Sequence, residues 1–204
     1  MRMAEMMTAV SNQQLFRRVV WRHLRSDTRI ELCEAMRARS RITLVGKMLG
    51  DAGSAPAYAS YELDCSGDLA QCAMLRLECT VNGETRTLTL EHEARGRWFR
   101  NGAHAPELDG CTDPDLEWSP ATNAFPIRRL VALPHGRLQV RAAWVRFPTL
   151  VVEPIAQSYT RLSATRYLYR NEQTGYEGHI DVDESGLPLT YEGVWTRTAD
   201  WRAP

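Results

Sequence analysis

Two carboxylates spaced two residues apart, Asp113 and Asp115, are the first candidates for chemistry. A D-x-D pair can hold a divalent ion on a diphosphate, and paired carboxylates can act as acid and base in a hydrolysis. These two sit in the run from Leu108 to Leu130 with Thr122, Asn123 and the adjacent Arg128 and Arg129, interleaved with apolar residues. Charges set beside apolar anchors point first to a packed loop. In such a loop Arg128 or Arg129 pairs bidentately with Asp113 or Asp115, and Asn123 bonds backbone groups that no strand satisfies. Asp113, Asp115 and Thr122 are therefore read as a structural network, and no residue is assigned a catalytic role.

Other constellations are weaker. Asp181-Val-Asp-Glu-Ser-Gly186 followed by Glu192 reproduces the ligand spacing of a calcium loop. Its flanks read as strands rather than helices, so a hairpin turn is expected there. The five histidines are scattered, and Glu91-His92-Glu93 lacks the second histidine that would make a zinc-binding helix face. Gly46-Lys47 lacks the upstream glycine and the following hydroxyl of a phosphate-binding loop, and no G-x-S-x-G turn is present. Cys33, Cys65, Cys72, Cys79 and Cys111 form an odd set without a C-x-x-C pair, as expected of buried thiols in a reducing compartment. Neither a metal nor a cofactor is implied.

The elements that must position these residues are strands. From Ala73 to His92, Leu75, Leu77, Cys79 and Val81 alternate with polar residues, Asn82-Gly83 supplies a type I′ turn, and Glu84 begins the return. That turn fixes a register with Leu77 opposite Leu88 and Leu75 opposite Leu90. The same alternation predicts strands through Ile42–Met48, Ala57–Cys65, Leu138–Trp144 and Tyr176–Val182, with Gly-, Pro- and Asp-rich turns between. The segment Ser11–Leu24 reads either as a capped helix or as a strand, and residues 1–10 are expected to be disordered. Alternation stops from Pro106 to Pro126. The fold class is all-β: a single antiparallel β-roll or open barrel of about 10–12 strands over residues 11–204, with few short helices.

Composition excludes some partners. Lys and Arg together number 25 against 25 Asp and Glu, so no net field draws nucleic acid. No segment approaches the roughly 18 apolar residues of a membrane helix, and the start of the chain carries Glu5 without a signal-peptide core. The expectation is a cytoplasmic protein without a membrane span.

The run Asp109-Gly-Cys-Thr-Asp-Pro-Asp-Leu116, then Ser119-Pro and Thr122-Asn-Ala-Phe-Pro-Ile-Arg-Arg-Leu130, closely resembles the putative glycolipid-binding family, long catalogued as a domain of unknown function. Trp144-Val-Arg-Phe-Pro148, Gln157-Ser-Tyr159 and Gly186 to Trp195 follow in the order that family shows. The resemblance extends from about Arg17 over nearly the whole chain, although Ala121 stands where the family has an aromatic. It implies a β-roll likened to bacterial lipoprotein carriers, with a concave apolar interior.

Three functions are carried forward. The first is an amphiphile-binding module, for a glycolipid or a similar molecule, with the acyl part inside the curved sheet. Asn123, Arg128, Arg129, Trp144, Tyr159 and Trp195 are the candidate ligand residues. The second is a structural or protein-interaction domain with a filled core. The third is a hydrolase using Asp113, Asp115 or Glu117 as acid and base.

Overall fold

The computed structural model describes residues 13–203, except 54, 94–95 and 134–135. The expectation of disorder for residues 1–10 and the proposed helix cap at Ser11 lie outside the described residues. From Gln14 onward the ambiguous segment is a strand. Arg17, Val19 and Trp21 are buried at period two, which a helix would not produce.

The first half of the chain is a meander: β1 (Gln14–His23), β2 (Ile30–Ala38), β3 (Arg41–Ala52), β4 (Ala55–Ser66), β5 (Cys72–Val81), β6 (Glu84–His92), β7 (Trp98–Arg100) and β8 (Ala103–His104). The second half begins with β9 (Asp113–Leu116) and the helix α1 (Ala124–Ala132). It continues through β10 (Arg137–Val145), β11 (Val152–Arg161), β12 (Arg166–Asn171), β13 (Glu177–Val182), β14 (Pro188–Tyr191) and β15 (Trp195–Arg202). All fifteen strands belong to one open sheet, in the order β8 back to β1, then β15 back to β9. The all-β reading holds. The strand number exceeds the expected 10–12 because β7, β8, β9 and β14 have only two to four residues, too few to show alternation.

Hairpin β5–β6 has the register that its turn dictates, with Leu77 opposite Leu88 and Leu75 opposite Leu90, and with Asn82 and Gly83 both at positive φ. One pairing departs from the antiparallel expectation: β9 lies parallel to β10, placing Asp115 beside Trp144. Pro114 sits on this edge strand, where a missing N–H leaves no ladder bond unmade.

The two meanders join where β1 pairs with β15. A buried ionic cluster clamps that seam. The Arg17 guanidinium donates to Asp183 at 2.7 Å and to Asp200 at 2.7 Å, and Arg197 reaches the same two carboxylates at 2.7 and 3.0 Å. Asp183 belongs to the turn between β13 and β14. Its other oxygen accepts from the Ser185 N–H and hydroxyl at 2.8 and 2.6 Å. The calcium-like spacing at 181–192 thus forms a hairpin whose aspartate holds arginines. Burial pushes the Asp183 carboxyl up, but the Ser185 bond and the two arginines outweigh it and leave it below the usual range.

Two apolar cores result. The inner face of β1–β6 encloses Trp21, Leu44, Leu63, Leu75, Leu90 and Trp98 with Trp118 from the loop and Phe125 from α1. A second core lies between β10–β13 and the helix, with Ile127, Leu130, Tyr159, Tyr167 and Ile180. Strand β10 is buried on both faces: Ala143 and Val145 belong to the first core, Val140 and Ala142 to the second. All five cysteines are buried and unbridged.

Gly46 on β3 lies opposite Tyr61 on β4. A Cβ there would fall 2.0 Å from the tyrosine ring, whose hydroxyl donates to buried Glu31 at 2.5 Å. Gly46→Ala is expected to cost about 1–3 kcal/mol through overpacking. Urea unfolding with an unchanged midpoint would show that the ring does not need this space.

Candidate ligand-binding cleft

The chain from β8 to β9 crosses from one edge of the open sheet to the other, because these strands end the two meanders. It then folds a short 3-10 turn, Ala121–Asn123, into α1. Pro126 falls in the first helical turn, where its missing N–H costs nothing. The last part of the loop expected through Leu130 is helical, with Ala124, Phe125, Ile127 and Leu130 buried. Trp118 anchors the loop to the first core, stacked on Phe147 with ring centres 5.0 Å apart and covered by the Arg29 guanidinium at 4.9 Å.

The expected ionic brace is present and belongs to Arg129. Its guanidinium grips Asp113 with both Nη groups, one at 2.6 Å, and also donates to the Ala70 carbonyl at 2.7 Å. Asp113 is 2% exposed, so this pair holds β9 in place. Arg128 points elsewhere. It donates to the carbonyls of Asp68 at 2.9 Å and Glu184 at 3.3 Å.

Next to the brace, β9, the 3-10 turn, β10, β12, β14 and β15 enclose a cleft of about 210 Å³. Its aromatic wall is Trp144, Tyr169, Tyr176, Tyr191 and Trp195. Tyr191 meets Tyr169 and Tyr176 edge to face, at 5.5 and 5.7 Å. Gly178, opposite Tyr169, leaves the space that the Tyr176 ring occupies; a Cβ there would lie 2.3 Å from the tyrosine hydroxyl oxygen.

The polar wall is Asp115, Glu117, Ser119, Asn123 and Asn171. Each of its groups is fixed from behind. Asp115 accepts from Thr122 at 2.8 Å and Gln157 at 2.7 Å, while loss of water around it pushes its carboxyl above the ordinary range. Asn123 accepts from the Tyr159 hydroxyl at 2.8 Å and donates to the Pro120 carbonyl at 3.0 Å. Ser119 donates at 2.9 Å to Glu31, a fully buried carboxyl that burial pushes up to about 8. The second Glu31 oxygen has no hydrogen-bond partner, as suits a neutral acid better than a carboxylate.

Of the six candidate ligand residues, Asn123, Trp144 and Trp195 line this cleft and Tyr159 orients Asn123 from beneath. Arg129 is occupied by Asp113, and Arg128 lines a different cleft. Asp115 faces the cleft whereas Asp113 is held by Arg129, so the two aspartates do not form a pair of free carboxylates across one site. Sequence reasoning missed Asn171, Ser119 and Tyr176 as wall residues. The signal for Tyr176 was the strand glycine two residues later, which marks a close approach; nothing local marks Asn171.

A family model described as "Putative glycolipid-binding" matches residues 18–197. The chain belongs to this family. The crystal structure of a DUF1089 family protein from Pseudomonas aeruginosa is 31% identical and superposes with a TM-score of 0.73, covering 84% of this chain and 93% of that one. A β-barrel-like protein of DUF1849 from Brucella abortus shares the fold at 11% identity, with a TM-score of 0.58 over 95% of this chain and 100% of that one. No curated protein matches. The glycolipid-binding family signature read from the sequence coincides with the crossing loop that carries Asp113, Asp115, Thr122 and Asn123 and with their partners Arg129, Gln157 and Tyr159. Among the described residues, no helix is long and apolar enough to cross a membrane.

The two arginines are expected to differ. Arg129→Ala strands the buried Asp113 carboxylate and should cost about 3 kcal/mol, the lower end for a broken buried pair because Arg129 is itself partly exposed. Arg128→Ala should cost under about 1 kcal/mol. Equal losses in chemical unfolding would rule out the brace.

Glu31 sets a pH dependence. Its carboxyl ionises from about 4.5 in the unfolded chain but holds its proton to about 8 when folded. Its contribution to stability is therefore complete below pH 4.5 and is lost as pH rises towards 8. Relative to Glu31→Gln, the wild-type protein should lose on the order of a few kcal/mol between pH 5 and 8. Parallel stability curves for the two proteins would contradict this.

Proposed function

We propose that the protein is a binding module that takes the uncharged polar head of an amphiphile, of sugar type, in the cleft between Trp144 and Asn123. The observation that carries this reading is the convergence of aromatic side chains with carboxylate and amide oxygens already oriented from behind. Flat aromatic faces stack on the C–H faces of a sugar ring, and fixed oxygens accept from its hydroxyls. At about 210 Å³ the cleft is smaller than the roughly 300–1,000 Å³ of drug-sized sites, so it suits a single head group rather than a whole glycolipid.

This places the ligand differently from the sequence expectation of an acyl chain inside the curved sheet. Phe125, Ile127 and Leu130, all under 2% exposed, fill the interior beside the helix. The acyl part of a bound amphiphile would then lie along the mouth, not in the core. The family description supports a glycolipid as the natural ligand class. The reading of the protein as a structural domain with a filled core accounts for the interior and for the bonds that hold the loop, but not for an open cleft in which these groups meet an aromatic wall. Asp113 is held by Arg129, and the cleft carboxylates Asp115 and Glu117 are engaged by Thr122 and Gln157 and by the Phe147 N–H, which does not favour the hydrolase reading.

The test is tryptophan fluorescence and calorimetry with octyl glucoside, octyl galactoside and dodecyl maltoside as monomers. Saturable binding of at least one, weakened about tenfold or about 1.4 kcal/mol by Trp144→Ala, is expected. Absence of saturable binding, or equal binding by a folded Trp144→Ala variant, would sink the proposal.

A further inference from the structure

A second cleft, of about 410 Å³, opens where the start of β1, the β4–β5 turn, α1 and the β13–β14 turn meet, and it shares no residue with the aromatic cleft. Its floor is apolar, from Phe16, Ile42 and Leu69. Its walls carry Arg17, Arg37, Arg128 and Arg202 against the carboxylates of Asp68 and Glu184, leaving two positive charges.

The distribution of that charge matters more than its sum. Arg202 is paired with Glu184, and Arg17 with Asp183 and Asp200. Arg37 and Arg128 have no carboxylate in salt-bridge contact among the described residues. Arg37 stacks on Phe16 at 4.6 Å, and Arg128 bonds only the Asp68 and Glu184 carbonyls. The Asp68 carboxylate is turned to Ser66 at 2.5 Å and the Ala70 N–H at 3.0 Å, which hold it below the ordinary range. Arg17, 3% exposed and engaged by Asp183 and Asp200, closes one end of the cleft.

We infer that this cleft is a second binding site, for a phosphate monoester carried on a short apolar stem. Two carboxylate-free guanidiniums balance a phosphate dianion, and their planar forks suit its oxygens better than a point charge would. Phe16, Ile42 and Leu69 receive the apolar stem. The site is independent of the sugar-type cleft, and its ligand is either a soluble ester or a lipid headgroup of the same chemistry.

The experiment is calorimetric titration of the full chain with hexyl phosphate, alongside co-sedimentation with vesicles of phosphatidylcholine alone or containing phosphatidic acid. Arg37→Gln/Arg128→Gln is the test variant, since neither side chain is buried or paired with a buried carboxylate. Hexyl phosphate is expected to bind the wild-type protein, and the double variant to bind at least tenfold more weakly while retaining its thermal midpoint. Binding of hexyl phosphate alone identifies a soluble ester, and capture by phosphatidic acid vesicles as well identifies a lipid. No binding of hexyl phosphate, equal binding by the variant, or vesicle capture without hexyl phosphate binding overturns the site. Octyl glucoside binding measured on the same double variant should be unchanged, so the two sites can fail separately.

Discussion

The seam between β1 and β15 makes this molecule one sheet instead of two, and the charges buried along it hold that seam. Arg17 and Arg197 share Asp183 and Asp200, so strand β15, the neighbouring strand β1 and the β13–β14 turn are tied by one network. Burying Arg17, Arg197 and Asp183 is costly, and removing any one of these three leaves the other buried charges uncompensated. The network therefore fixes geometry more than it adds stability. With the seam set, β8 and β9 become the free edges, and the chain between β8 and β9 must span the opening.

The chain that follows this crossing, β9 and the 3-10 turn, carries the polar wall of the aromatic cleft. Backbone groups that no ladder takes are satisfied by side chains: Arg141 donates to the Glu107 and Asp109 carbonyls, Thr122 accepts from the Leu116 N–H and Asn123 donates to the Pro120 carbonyl. Asn123 is one of these and also lines the cleft. Asp115 is held by Thr122 and Gln157 and still lines the cleft wall. A site built this way is preorganised, because its polar groups lose little further freedom when a ligand arrives.

The two clefts have opposite chemistries. One offers aromatic faces and acceptor oxygens, the other guanidiniums over an apolar floor. Their separation follows from α1, which sends Arg129 to Asp113 beneath the aromatic cleft and Arg128 to the opposite bank. Adjacent helical residues point about 100° apart, so one short helix braces β9 with Arg129 and lines the second cleft with Arg128.

The sequence by itself determined the strands with clean alternation, the β5–β6 register and the existence of an arginine–aspartate brace, because these depend on neighbours close in the chain or on obligatory charge pairing. It also carried the family signature, since that signature lies within one continuous loop. The short strands, the parallel β9–β10 pair and the identity of Arg129 over Arg128 were decided only by the tertiary structure. The same holds for the company that Asn123 and Trp144 keep with Asn171, Tyr176 and Tyr191. Those residues meet across strands brought together by sheet curvature, and curvature comes from the seam and the packed core, which no local spacing records.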